Sequence, residues 1–202
     1  MDDIVLRGLA KWPNVPAVYG WLTLDRRGNW LIKGDSISNA AVTAFIARNY
    51  ERDGEGRWFF QNGPQRVYVT LDYTPLVYRA VNGDGAALAI EAHTGAPATS
   101  LAGAWIDEEG AVLLRTEQGI GVVHDRDLDK LVPNFIDANG NPLPEDALDQ
   151  LMELVQHGRD VPVWLKYAEC NIKVESIQST AVAQRFGFQA SPTAPEGAAE
   201  CA

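Results

Sequence analysis

Basic runs, paired cysteines and long apolar stretches are all missing from this 202-residue chain, and each absence removes a class of function. Seventeen Lys and Arg stand against 27 Asp and Glu, for a net charge of −10. That field opposes nucleic acid phosphates and anionic lipid, so no nucleic-acid partner is expected. No apolar run has the length of a membrane span, so no membrane partner is expected either. The first residues, Met1-Asp2-Asp3, are acidic at once and lack the basic, then apolar, cleavable pattern of a secretion signal. Of the two cysteines, Cys201 is penultimate, in a loose tail, which argues against a structural disulfide and for a reducing, cytoplasmic setting.

The chemistry-bearing motifs are scarce as well. The three histidines, His93, His124 and His157, fall in no HExxH pattern, and none lies near a cysteine at metal-ligand spacing. Asp137-x-Asn139-Gly140-Asn141 carries its glycine too early for an EF-hand, and Leu148 stands where the bidentate glutamate belongs. Gly83-Asp84-Gly85 and Gly119-Ile120-Gly121 do not lead into a phosphate loop. No GxSxG occurs, and Ala168-Glu169-Cys170-Asn171-Ile172 offers Cys170 no local activating cation except Lys173. No catalytic residue, metal site or cofactor is therefore expected.

What is present reads as an ordinary folded chain, with 46% hydrophobic and 22% charged residues, enough for one sizeable core or two small lobes. Residues 1–16 read as a lead-in, with Pro13 and Pro16 against a helix interior and Trp12 placed to clip the arm down. Two β-prone runs, 18–25 and 29–33, flank Asp25-Arg26-Arg27-Gly28. The period then becomes helical over 39–50, through Val42, Phe45, Ile46 and Tyr50, with Ser36, Ser38 or Asn39 able to cap. A hairpin over 57–71 turns at Asn62-Gly63-Pro64-Gln65, where Pro64 shows that the turn is not the simplest two-residue type. Another strand pair spans 76–92, and residues 94–100, small and Pro/Gly-containing, are the best internal boundary.

The same grammar then returns. Asp107-x-x-Gly110 is followed by Leu113-Leu114 at the offset at which Asp25-x-x-Gly28 is followed by Leu31-Ile32. Trp105 echoes Trp21, and Leu128, Leu131 and Val132 echo Val42, Phe45 and Ile46, with Asp125 as a natural helix cap. Leu148, Leu151, Met152 and Val155 add a further helix between Pro144 and Gly158, and strands at 161–167 and 171–177 close the pattern. The expected fold is α+β: two related, mainly antiparallel hairpin-plus-helix motifs packed as one unit, with an additional helix in the second half. Residues 1–188 would form a single globular unit with halves at about 17–92 and 101–186, and 189–202 a flexible tail.

The block Gly28-x-Trp30, Ile37, Val42-x-x-Phe45, Gly56-Arg57-Trp58, Gln65-Arg66-Val67-Tyr68-Val69 and Asp72-x-Thr74-Pro75 resembles an uncharacterised bacterial domain family. That family has Gly-x-Trp, a short helix, a strand ending in Thr-Pro-Val-Glu-Lys and a strand ending in Asp-Ala-Pro-Phe. As a whole the chain is similar to a separate proteobacterial family of unknown function, related through this block at about residues 20–80. The resemblance implies a fold of repeated hairpin-and-helix motifs and a signalling or regulatory role. It supplies no catalytic residue, and Asn62-Gly63-Pro64-Gln65-Arg66 replaces Thr-Pro-Val-Glu-Lys.

The densest block is 57–68, whose aromatics would anchor a hairpin in the core. Asn62, Gln65 and Arg66 at its tip are the candidate binding residues: amides and a forked cation suited to a protein or a small polar ligand. A non-enzymatic binding or regulatory module is the favoured reading. The alternative is an enzyme whose site assembles from dispersed carboxylates and histidines.

Overall fold

Four aspartates set the turns on which the fold is built. Asp25, Asp53, Asp107 and Asp137 each precede a glycine by three residues, and each backbone N–H donates to the carbonyl four residues on, at 2.9–3.0 Å. In every case the glycine N–H returns to the aspartate carbonyl, with glycine φ of 80°, 80°, 84° and 83° at Gly28, Gly56, Gly110 and Gly140. Each carboxylate also accepts the N–H groups two and four residues on, as Asp25 Oδ1 does from Arg27 and Asn29 at 2.8 Å. This is a three-residue hairpin turn with a left-handed glycine, held by an Asx side chain.

In the computed structural model, residues 1–12, 14–82, 88–144, 147–157, 159 and 162–195 are described. The chain forms two compact units, Met1–Pro75 with Phe186–Ala202, and Leu76–Arg185. The first holds helix α1 (Asp3–Lys11), strands β1 (Val18–Leu24), β2 (Trp30–Ile32) and β3 (Asp35–Ser36), helix α2 (Ala40–Arg48), and strands β4 (Tyr50–Arg52), β5 (Trp58–Asn62) and β6 (Gln65–Leu71). Their order is β3-β2-β1-β6-β5-β4, antiparallel except for the central β1/β6 pair.

The second unit opens with β7 (Leu76–Asn82), β8 (Leu88–Ala92) and β9 (Pro97–Ala98). Then come β10 (Leu101–Asp107), β11 (Val112–Thr116), β12 (Gly119–Val123), α3 (Leu128–Leu131), β13 (Phe135–Ile136), α4 (Ala147–Gln156), β14 (Trp164–Tyr167) and β15 (Cys170–Ile177). Helix α5 (Val182–Phe186) carries the chain back to the first unit. The order β12-β11-β10-β15-β14-β13 repeats that of the first unit, again with a parallel central pair, β10/β15. Strands β7, β8 and β9 extend the sheet beyond β12.

The fold is thus α+β and mainly antiparallel, with a hairpin-and-helix motif present twice. Leu31 and Ile32 lie in β2, Leu113 and Leu114 in β11. The repeat runs further than its sequence echo, through β4–β6 and β13–β15. The tryptophans of the echo are not equivalent: Trp105 stands two residues before its turn aspartate and Trp21 four before its own. The segment 94–100 is not a boundary between units. It makes a turn and β9 within the second unit, where the Glu117 carboxylate accepts from the backbone and hydroxyl groups of Thr99 and Ser100 at 2.6–3.0 Å. The Thr99 N–H is the main cause of a Glu117 pKa lowered to about 2.

Residues 3–11 are helical, where a lead-in was expected. The prolines lie beyond the helix, and Val5, 1% exposed, clips the arm down in place of Trp12, which is 56% exposed. Of the helix stops, Gly158 lies outside the described residues. In the segment expected to be a tail, Gln189 N–H donates to Gly56 O and Ala190 O accepts from Leu71 N–H. Residues 196–202 lie outside the described residues.

The two units also share a tight loop between their last two strands. Gly63-Pro64 joins Asn62 to Gln65, and Ala168-Glu169 joins Tyr167 to Cys170. The first loop residue has positive φ in both, 56° at Gly63 and 50° at Ala168. A left-handed alanine carries about 1–2 kcal/mol of steric strain that glycine does not. Ala168→Gly is therefore expected to stabilise the second unit by about 0.5–1 kcal/mol in urea denaturation, because relief of strain exceeds the added unfolded-state entropy.

Candidate functional site

Helix α2 stands over the first unit's sheet and leaves a pocket beneath it. Asn39 caps the helix, its carboxamide oxygen accepting from Ala41 N–H at 2.9 Å and Val42 N–H at 3.3 Å. At the other end Asn49, fully buried, donates to Phe45 O, accepts from Asp2 N–H and offers its carbonyl to Gln61 N–H. Fixed at both ends, α2 buries Ile46 but leaves Val42 40% exposed. Phe45 meets Phe60 edge to face at 5.5 Å.

The floor comes from four strands. Val18 and Leu22 of β1, Ile32 of β2, Phe60 of β5 and Val67 of β6 face α2. Between Val18 and Leu22 strand β1 takes four residue steps against two in β6, from Val67 to Val69. Gly20, at φ 71° with open space around it, allows this bulge. The bulge leaves Trp21 at the pocket's edge, with the Lys33 ammonium 3.8 Å from its ring centroid. The cavity measures about 380 Å³, within the size range of small-molecule sites.

The three tip residues divide between the two faces of the hairpin. Asn62 and Gln65 form a cross-strand pair and line the pocket. Gln65 Nε2 donates to Pro16 O at 3.1 Å. Arg66 pairs in register with Gln61, on the opposite face, and its guanidinium lies 4.6 Å over the Phe59 ring. The turn itself is a two-residue Gly63-Pro64 loop. Positive φ at its first residue and proline at its second match a II′ turn rather than an Asn-Gly turn.

The second unit provides an internal comparison. By strand register, Ile32, Leu22 and Val69 correspond to Leu114, Ala104 and Val174. Phe60 and Asn62 correspond to Leu165 and Tyr167. Leu114 is fully buried where Ile32 is 46% exposed, and Tyr167 is 7% exposed where Asn62 is an exposed residue. The same sheet face is closed in one unit and open in the other.

The histidines serve the backbone. His93 Nδ1 accepts from Val77 N–H at 3.2 Å, and His157 Nδ1 meets Glu153 O at 2.7 Å. His124, rather than Asp125, caps the short 3-10 turn at Asp125–Asp127, accepting from Arg126 N–H at 3.1 Å. Among the described residues no group of three or more His, Cys, Asp or Glu is placed to hold a metal ion. Among them, too, no helix is long and apolar enough to cross a membrane.

The family model DUF2944, described as "Protein of unknown function (DUF2946)", matches residues 1–193. The chain belongs to this family. No curated protein matches it. A crystal structure of a DUF1285 family protein from Silicibacter pomeroyi DSS-3 is similar at 16% identity and TM-score 0.54, over 84% of this chain and 87% of that one. A second DUF1285 family structure, from Shewanella baltica OS155, gives 17% identity and TM-score 0.38, over 55% and 87%. The Silicibacter likeness bears on the fold, and this DUF2944 chain shares that fold across most of its length. The pocket residues other than the tip pair escaped sequence reading because Val18, Leu22, Ile32 and Val42 carry the apolar pattern of any core. The one local signal was Gly20 beside Trp21 inside a β-prone run.

Proposed function

We propose that this chain is a non-enzymatic, cytoplasmic, ligand-binding module of bacterial regulation or signalling, and that its first unit takes a small molecule under α2. The observation that carries this reading is an open cavity of about 380 Å³ whose lining contains no acid, base or nucleophile. General acid-base and covalent catalysis both need such a group beside the ligand. Apolar walls closed at one end by two carboxamides suit binding and orientation instead. The tip residues Asn62 and Gln65 take part as the polar end of the pocket; Arg66, on the other face, suits a protein partner. The bacterial family resemblance supports the regulatory role, and the exposed free thiol of Cys170 suits a reducing cytoplasm.

The test uses Nile red, a neutral apolar dye of pocket size. It is expected to bind the intact chain with blue-shifted emission and to be recovered unchanged. Val42→Trp, at a half-exposed position of the pocket wall, is expected to leave the fold intact and weaken dye binding by about tenfold or more. Equal binding by the filled variant would show that the dye sits elsewhere and would overturn the assignment.

A further inference from the structure

The geometry points to an uncharged amphiphile as the natural ligand class: a medium-length acyl or aryl body with an amide or similar head that both donates and accepts a hydrogen bond. This inference rests on the pocket reading above and specifies its ligand. Three observations carry it. First, the body of the pocket is apolar on every side, from Leu22 and Ile32 to Val42 and Phe60. Burying a chain there gains affinity with each methylene, about fourfold per group.

Second, Asn62 is uncommitted. Among the described residues its carboxamide makes no side-chain hydrogen bond, whereas its cross-strand neighbour Gln65 is tied to Pro16 O at 3.1 Å. Asn62 therefore presents two N–H donors and one carbonyl acceptor at the polar end. A primary or secondary amide satisfies both kinds at once. Third, no charged side chain lines the pocket. The ammonium of Lys33 sits on the Trp21 ring and the guanidinium of Arg66 lies over Phe59 on the far face. A carboxylate would lose its hydration without gaining a cation in the pocket, on a chain of net charge −10. An ammonium would meet no carboxylate among the lining residues.

The experiment is isothermal titration of the full chain, near neutral pH, with hexanamide, heptanamide, octanamide, octanoate and octylamine. Affinity is expected to rise about fourfold per methylene through the amides. Octanamide is expected to bind about tenfold or more tightly than either charged analogue. Asn62→Leu should weaken octanamide about tenfold while preserving the methylene increment. Asn62→Asp should turn the preference toward octylamine, and Asn62 is exposed, so both variants are expected to fold. Binding of all three heads alike, a preference for octanoate, or an Asn62→Leu variant that keeps full octanamide affinity would overturn the head-group assignment and leave the pocket standing. Should none of the five ligands bind while Nile red does, the amphiphile inference fails alone; should neither bind, the pocket reading fails with it.

Discussion

Replacing Gly56 by alanine is expected to destabilise the first unit by about 3–4 kcal/mol. Two independent costs add. Gly56 has φ 80°, where an L side chain costs about 1–2 kcal/mol. An added Cβ would also lie 2.3 Å from Gly187 O and 3.3 Å from Phe188 Cα, which are backbone atoms that no rotamer change can move. That backbone is held on both sides. Arg52 Nη2 donates to Gly187 O at 2.6 Å, Gln189 N–H to Gly56 O at 3.0 Å, and Leu71 N–H to Ala190 O at 2.7 Å. Relief requires the 187–190 strap to lift, which exposes Phe188, now 6% accessible, at a further cost of about 2 kcal/mol. Gly54→Ala, two residues away with open space around it, is the control and should stay within about 0.5 kcal/mol of the parent. Denaturant unfolding measures both. A Gly56→Ala protein as stable as the Gly54→Ala protein would refute the strap.

The second unit is expected to lose about 1–2 kcal/mol as pH falls from about 5 to about 2, through Asp127. This carboxylate is 2% exposed. Burial alone would raise its pKa, but hydrogen bonds from Arg79 and from Lys130 Nζ, the latter at 2.7 Å, lower it from 3.8 to about 2. A lowered folded-state pKa means that the unfolded chain binds the proton more tightly. The stabilisation is therefore complete above about pH 5 and is lost as pH falls through 3.8 toward 2. The full shift of 3.8 to about 2 corresponds to somewhat more than 2 kcal/mol, and the half-exposed positions of Arg79 and Lys130 screen part of it. Lys130 Nζ also donates to Ala80 O at 3.0 Å, so the network pins α3 to β7. Asp127→Asn should cost about 2–3 kcal/mol at neutral pH and flatten the acid limb. Because Glu117 titrates in the same window, the Glu117→Gln background separates the two. An acid limb unchanged by Asp127→Asn would contradict the assignment.

The parts of this fold that were legible in the sequence are those fixed within four or five residues. Asp25-x-x-Gly28 and Asp107-x-x-Gly110 announce hairpins because the aspartate and the left-handed glycine close the turn by themselves. Their equal offsets to Leu31-Ile32 and Leu113-Leu114 exposed the duplication. The parts that were illegible depend on distant partners. Helix α1 was hidden because Pro13 and Pro16 colour its neighbourhood, while its docking depends on Val5 and on Asp2 meeting Asn49. Residues 94–100 look like a linker until Glu117, seventeen residues on from Ser100, binds them. The division at Pro75 is set by the pairing of β7 with β12, which no local pattern signals.

The candidate site was legible in the same proportion. Asn62 and Gln65 stand out because they flank a turn in an aromatic hairpin. That they look into a cavity, and that Arg66 does not, follows from strand alternation once the loop is known to be two residues long. The cavity itself depends on the bulge in β1, which Gly20 alone hints at, and on how far α2 stands from the sheet, which no short window encodes.

The most direct measurement of the central claim is a methyl spectrum of the full chain titrated with 1-octanol, a neutral probe without an amide. Perturbations are expected to saturate at the methyls of Val18, Leu22, Ile32, Val42, Ile46 and Val67. The methyls of Leu114 and Leu165, the counterparts of Ile32 and Phe60 on the closed face of the second unit, should stay unperturbed. Saturable shifts at the counterparts equal to those at the pocket, or no saturable shift at the pocket at all, would contradict the claim that the open face under α2 is the binding site.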